Sequence, residues 1–585
     1  MMPKRRAVFA AAVLMVAGAA SLLFSWEKWV YPFVDGGREM IVPARLAEGE
    51  RLYADVAYHY GPIAPWINAA AIALFGRHLV VLHVMGLAFS GLLFFSLFRL
   101  TQRAGSFLSA TVGSALAIAL CLGAPNGGSF LFPYSFGTLY ALAFAFFCFE
   151  RVSAPSASRW KGALAAGALA LAWASKPEIG TAAAVTILVG ALRSQEAWTA
   201  VRRSGKLILI AAILACGAYA WAFRGLSWEI ASPEGPLAIF STPPEWRNVH
   251  RVVAGLVDVP GSLVNLATAL FLGGLLLGGA AFVAMRSRGR ESGKPSPWQI
   301  VWILLCIAAV AFFASSTGGA IEDRLPPLLL PMPVIALLAA GAELRKPLAG
   351  DRLAAFLLFG FSGVFGGRVV LGLAYGAYTT PYSVLALPGL CAAAAVLVLD
   401  RLADRFPTPS AFRRSAALLF VGLAVLGVLR HERLIPRAST VRVETQAGSL
   451  RLPGEKAFAV RGTLEYLRSR ALPGDGLAGF PEAGLFQFVT GLRNPFRQDT
   501  NYPEILDAPA EERALRRLSA RPPRFILLIN QPTPAFGPRV FGRDHSIRLW
   551  SAIETTYAPV AAFGDPDPRA LIGAPAFFIR IYERL

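Results

Sequence analysis

Apolar residues along this chain come in long unbroken runs. Runs near the length that a helix needs to cross a bilayer, about 20 residues, fall at 7–25, 78–98, 106–123, 134–149, 160–175, 179–193, 207–223, 263–285, 298–316, 326–343, 353–374, 383–399 and 415–430. The pattern predicts about 13 transmembrane helices, the first of them an uncleaved N-terminal helix. Residues 63–76 are apolar but short, and predict a partial or interfacial helix at the outer rim. After residue 431 the pattern changes to short alternating segments. Strands are expected at 457–460, 477–480, 525–530 and 577–582, and helices at 462–470, 482–490, 511–520 and 547–555. The expected fold is mainly α: a polytopic membrane helical bundle over 1–430, followed by a soluble extracytoplasmic α/β domain over 431–585.

Composition supports this class. The 585 residues are 55% hydrophobic and only 16% charged, with mean hydropathy +0.53. A net charge of +20 raises the question of nucleic acid, but the basic residues sit in short clusters between apolar runs and form no single surface. One alternate set of loops carries Arg99 and Arg103; Arg151, Arg159 and Lys161; Arg193, Arg202, Arg203 and Lys206; Arg286, Arg288, Arg290 and Lys294; Arg345, Lys346 and Arg352; and Arg401, Arg405, Arg413 and Arg414. Together with Lys4, Arg5 and Arg6, these face the cytoplasm by the positive-inside rule. The N-terminus is then inside and the C-terminal domain outside the membrane. All five cysteines lie in apolar runs with no C-x-x-C, so neither disulfides nor a cysteine metal site is expected.

The outward loops are short except for 26–76 and 225–260. The first is dense in polar groups: Asp35, Arg38, Glu39, Glu48, Glu50, Asp55, His59 and Tyr60. Asp35 follows Pro32-Phe33-Val34 and precedes Gly36-Gly37, so its carboxylate lies where the chain leaves the bilayer. A helix starting there makes Asp35 the N-cap and puts Glu39 one turn on, on the same face. The second loop holds Glu229, Glu234, Glu245, Arg247 and His250 between prolines, as solvated charges or a lid. Further charges stand at outer helix ends: Lys176-Pro177-Glu178, Glu322-Asp323-Arg324, and Arg368 within the run over 353–373. Alone, each is an interfacial anchor or an interhelical salt bridge. Together they place acids and cations in one layer at the outer surface, where acids can deprotonate a hydroxyl and cations can hold a phosphate. His59, His78 and His83 make no metal set, and no nucleotide-binding, zinc-protease or nucleophile-elbow motif stands in a usable context.

At these residues the chain resembles the GT-C superfamily of integral-membrane glycosyltransferases, which includes protein O-mannosyltransferases, lipid A aminoarabinose transferases and oligosaccharyltransferase catalytic subunits. The first loop is most similar to a bacterial subgroup with D-x-G-R-E (Asp35 to Glu39), L-x-x-G-x-x-L-Y-x-D (Leu46 to Asp55), Y-G-P-x-x-P (Tyr60 to Pro65) and L-F-G (Leu74 to Gly76). K-P-E at 176–178 and D-R-L-P-P-L-L-L-P at 323–331 resemble further family positions. The resemblance implies transfer of a sugar, with inversion, from a polyprenyl-phosphate-linked donor to a hydroxyl acceptor on a lipid, glycan or protein. It implies placement in a bacterial cytoplasmic membrane and Asp35 as general base; Glu39 is set beside Asp35 as a candidate catalytic residue, with the second acidic role open to Glu39, Glu178 or Asp323. Arg38, His59, Tyr60, Lys176, Glu178, Asp323, Arg324 and Arg368 become candidate substrate-binding residues, with Lys176, Arg324 and Arg368 toward the departing phosphate. Members often carry an acid in the second outward loop; here 123–134 has none, so no metal ligand set is assigned and a divalent metal stays open. A lipid-linked saccharide transporter and a non-catalytic glycan-binding membrane protein are the competing classes. Transporters tend to place ionisable groups and broken helices near the midplane in repeated halves, a pattern this chain does not show clearly.

Overall fold

Each expected apolar run falls on a helix. The structure is a computed structural model and describes every residue except 1, 29, 31, 34, 125–127, 155–158, 227–250, 288–295, 316–327, 370, 372–379, 439–440, 500–507, 531–540 and 565–576. The helices run α1 (Met2–Ser25), α2 (Gly36–Ala47), α3 (Ile63–Phe75), α4 (Leu79–Ala104), α5 (Phe107–Cys121), α6 (Phe136–Val152), α7 (Arg159–Ser175), α8 (Pro177–Leu192) and α9 (Ala197–Ala222). They continue with α10 (Val259–Arg286), α11 (Pro297–Ser315), α12 (Met332–Glu343), α13 (Gly350–Gly367), α14 (Thr380–Val396) and α15 (Pro409–Ala438). Among the described residues, six apolar helices have the length to cross a membrane: α1, α4, α9, α10, α14 with its continuation to Arg405, and α15. Shorter apolar helices, α3, α5, α8, α11 and α12, stand among them. Helix lengths give a multi-pass bundle without fixing 13 crossings.

The interior of the bundle is built on α6 and α14. Helix α6 is buried on every side from Phe136 to Phe146, and its rings meet edge to face, Phe136 with Tyr140 and Phe146 with Phe149. Small residues let α14 approach its neighbours: Gly113 of α5 lies against Ala392 and Ala395. Such close packing is what holds helices together where lipid competes for apolar surface.

Loops of the basic set meet one another at one end of the bundle. Arg103 pairs with buried Glu150 at 2.5 Å, the Leu348 N–H donates to the Arg193 carbonyl at 2.8 Å, and Arg401 pairs with Glu343 at 2.9 Å. The loops at the other end gather around 35–62 and receive the C-terminal domain.

That domain begins with a hairpin, β1 (Val441–Thr445) and β2 (Gly448–Leu452), followed by α16 (Gly454–Arg470), β3 (Leu477–Phe480), α17 (Gly484–Thr490) and α18 (Ala508–Ala520). It closes with β4 (Phe525–Ile529), α19 (Ile547–Thr556), β5 (Tyr557–Gly564) and β6 (Phe578–Arg584). The sheet order is β3-β4-β6-β5, with β3 parallel to β4 and the other pairs antiparallel; Ala478 faces Ile526, and Leu527 faces Ile581. Every residue of β4 is buried, as expected of a strand covered on both faces.

Three expectations are corrected. Residues 457–460 are part of α16 and not a strand, because Ala457, Val460, Leu464 and Leu467 recur at helical spacing and bury one face. The hairpin and β5 were absent from the expected elements. The span expected over 353–374 ends at Gly367, and Arg368 is its C-cap, not a charge within the helix.

Candidate active site

The first loop folds as a short helix and a tight coil, each pinned by backbone contacts. Asp35 occupies the N-cap position of α2, where its carbonyl accepts the Glu39 N–H at 3.0 Å. Its side chain makes no capping bond, and its backbone stands at φ 60°, ψ −48°. That conformation is outside the regions open to L-residues and costs on the order of 1–3 kcal/mol, which the surroundings must hold in place. Freed from capping, the Asp35 carboxylate turns to Arg38, one helical turn on, at 2.9 Å through Oδ1.

The coil 51–62 is set by glycine. Gly61 donates its N–H to the Ser175 carbonyl at 3.1 Å, and a Cβ added to it would lie 2.1 Å from the Ala174 carbonyl oxygen. Only glycine lets the coil lie against the end of α7. This close approach brings Tyr60 beside Lys176, the N-cap of α8, whose Nζ sits 3.9 Å from the Tyr60 ring centroid. Arg38 faces the same ring at 5.2 Å. Tyr53 donates its hydroxyl to the Tyr60 carbonyl at 2.6 Å and fixes the turn.

The charges form a continuous path. Arg38 meets Asp35, and Glu39 at 3.6 Å; Lys176 meets Glu178 at 3.6 Å; Glu178 meets Arg368 at 3.6 Å. Exposure divides the group in two. Arg38, Glu39 and Lys176 are buried, whereas the side chains of Asp35, Glu178 and Arg368 keep 33%, 34% and 36% of their surface. The part-exposed members are thus a carboxylate beside Arg38 and the Glu178–Arg368 pair. His59 is half-buried, and burial together with the Arg38 charge pushes it down to about 4, so it is neutral near pH 7. Burial lowers Lys176 to about 8 against the opposing pull of Glu178. Asp323 and Arg324 lie outside the described residues, as do Glu229, Glu234, Glu245, Arg247 and His250 of the second long loop.

Glu39 points into the protein. It accepts the Phe136 N–H at 3.0 Å and the Tyr58 hydroxyl at 3.2 Å, locking α2 onto the start of α6. Burial raises its carboxyl to about 7, with Arg38 the main opposing influence. Because the folded value lies above the unfolded 4.5, the protonated acid stabilises the fold fully below that pH, and this stabilisation is lost as pH rises through about 7. Glu39→Gln removes the dependence. Thermal melting from pH 4.5 to 8 should show wild type losing stability relative to Glu39→Gln, on the order of 3 kcal/mol across the window; parallel curves would mean that Glu39 does not titrate there.

Sequence reasoning missed three partners: Tyr58, the Phe136 N–H, and Glu482 of the C-terminal domain, which accepts the Asp35 N–H at 3.3 Å. Tyr58 sits in an aromatic run, and no local signal marks the other two. Of the histidines, His83 is buried with Nδ1 2.8 Å from the Leu79 carbonyl, as a helix histidine.

No known family model matches the chain, and no curated protein matches it. Among solved structures, it is similar to ArnT from Cupriavidus metallidurans bound to undecaprenyl phosphate, at 12% identity and TM-score 0.46, covering 98% of both chains. It is also similar to the oligosaccharyltransferase of Archaeoglobus fulgidus, at 15% identity and TM-score 0.45, covering 88% of this chain and 67% of that one. A third is the arabinofuranosyltransferase AftD from Mycobacteria, at 17% identity and TM-score 0.40, where 98% of this chain matches 40% of the larger one. These likenesses are weak and concern the course of the chain; the chemistry comes from the residues.

Proposed function

We propose that this protein is an integral-membrane glycosyltransferase, moving a sugar from a polyprenyl-phosphate-linked donor to a hydroxyl acceptor at the outer face of the cytoplasmic membrane. The observation that carries the reading is the linkage of a part-open carboxylate, Asp35, through Arg38 and the Tyr60 ring to the Lys176–Glu178–Arg368 group, from segments far apart in the chain. The acceptor oxygen attacks the anomeric carbon from the face opposite the phosphate. The bond from that carbon to the phosphate oxygen breaks, the hydroxyl proton passes to Asp35, and the phosphate leaves as an anion, so the anomeric centre inverts. Lys176 and Arg368 stabilise the departing charge, with Arg324 assigned the same role from sequence. Arg38 orients the base, and Glu39 orients Arg38 and α2. Residues 1–430 form the membrane domain with the N-terminus inside, and 431–585 lie outside. This sidedness is supported by the gathering of basic loops at the end opposite the C-terminal domain.

The Arg368 assignment separates binding from structure. A pair between side chains exposed by about a third contributes about 0–1 kcal/mol to stability, so Arg368→Gln should barely move the melting midpoint. A charge-assisted contact to phosphate is worth about 1.5–3 kcal/mol, so kcat/KM for the donor should fall roughly tenfold or more. Steady-state transfer at varied donor concentration, with melting of both proteins, is the test. A lowered melting point with unchanged kcat/KM would make Arg368 a structural cation.

A further inference from the structure

The segment 33–37, which carries the proposed base, is gripped by the C-terminal domain at three points. Phe33 packs on Phe577 with ring centroids 5.0 Å apart, and Lys456 lies over both rings at 5.6 and 5.2 Å. The Asp35 N–H donates to Glu482 Oε1 at 3.3 Å. Gly37 and Gly484 meet backbone to backbone: a Cβ on Gly484 would fall 2.4 Å from the Gly37 carbonyl oxygen, and one on Gly37 would come within 3.3 Å of the Leu485 nitrogen. The first turns of α2 and α17 therefore touch, and Glu482, two residues before Gly484, reaches Asp35 with a carboxylate from a residue only 1% exposed. Asp35 is also the residue held at φ 60°. An N–H turned into that conformation leaves the usual helix-start direction and needs its own acceptor. Glu482, from the C-terminal domain, supplies one.

We infer that Glu482 is a positioning residue for the transfer reaction: it holds the Asp35 backbone in the conformation that aims the base, so the C-terminal domain completes the active site. This rests on the assignment of Asp35 as base. The role needs an acceptor oxygen at the right reach, and does not need a charge. Glutamine keeps both reach and oxygen; aspartate keeps the charge but is one methylene short. Misplacing a reacting group by about 1 Å can cost about 10²-fold in rate.

The experiment is a comparison of kcat and donor KM for wild type, Glu482→Gln, Glu482→Asp and Gly484→Ala in the full-length detergent-purified protein, with Asp35→Asn as control. Rates are normalised to monodisperse protein, and each variant is melted. Glu482→Gln should retain kcat within about threefold, since the hydrogen bond survives. Glu482→Asp and Gly484→Ala should lose about 10²-fold in kcat with donor KM unchanged. Wild-type kcat in Glu482→Asp overturns the inference, as does a Glu482→Gln protein as inactive as Glu482→Asp, which would point to an ionised role. Losses that track melting points in all variants also overturn it, leaving Glu482 a structural acid. Undiminished transfer by Asp35→Asn would remove the base assignment itself, a failure distinct from these.

Discussion

Replacing Asp35 by asparagine should lower sugar transfer by at least about 10²-fold while leaving donor binding intact, because a general base contributes about 10²–10⁴-fold. Asparagine is the informative substitution here. It keeps the size of the side chain, and Asn, like Asp, is among the residues that most readily accept positive φ, so the strained backbone at φ 60° is disturbed least. Alanine would mix loss of basicity with loss of the Arg38 contact and of that conformation. Asp35→Glu should recover only part of the rate, since an added methylene moves the carboxylate away from its place beside Arg38. Transfer and binding of labelled donor, measured on the same preparations, separate the two effects. Equal transfer by Asp35→Asn would move the role to Glu39, Glu178 or Asp323.

The largest effect on stability is expected at the clamp between the first loop and the C-terminal domain. Arg45 is buried; it pairs with Asp499 at 2.9 Å and Glu50 at 2.7 Å, and donates to the Asp55 carbonyl at 3.0 Å. Asp499 also accepts from Asn494 at 2.7 Å. Beside it, Arg497 donates to the Tyr53 carbonyl and accepts the Ala57 N–H at its own carbonyl, 2.9 Å away. Removing one partner of a buried pair costs up to about 3–5 kcal/mol, less where a second counter-ion such as Glu50 remains. Asp499→Ala should therefore melt well below wild type. Adding Arg45→Met to it should recover part of the loss, because the buried guanidinium left with only Glu50 and the Asp55 carbonyl is gone and Glu50 can turn to water. A single substitution with an unchanged melting point would mean that this pair does not hold the domain in place.

The membrane part of the fold was legible because each crossing is a local signal: about 20 apolar residues read as one helix wherever they stand. Asp35 was legible in the same way, from its place between an apolar run and two glycines. Lys176 and Glu178 were found as a charged step between runs, and Pro177 at the first helical position accounts for the sharp start of α8. The contacts that assemble the site were not legible. Glu482 lies 447 residues from Asp35, and Asp499 lies 454 from Arg45, so no window of sequence contains either pair. The misread strand at 457–460 shows the opposite failure. A short apolar run suggested a strand, while the spacing of Leu464 and Leu467 beyond it already carried the helical period. The hairpin at 441–452 did leave a signal, the alternation of Val441 and Val443 with Arg442 and Glu444, and of Leu450 and Leu452 with Ser449 and Arg451. Glu39 was expected on the same face as Asp35; its inward hydrogen bonds to Phe136 and Tyr58 depend on packing against α6, which no local pattern shows.

The most direct test is a reconstitution. Purified protein is placed in vesicles containing polyprenyl phosphate that carries a labelled sugar, with a water-soluble hydroxyl acceptor outside. The expected result is release of free polyprenyl phosphate in step with the appearance of label on the acceptor with inverted anomeric configuration, and neither with Asp35→Asn. Movement of the intact lipid-linked sugar across the bilayer, with no polyprenyl phosphate released, would contradict the account and make the protein a transporter.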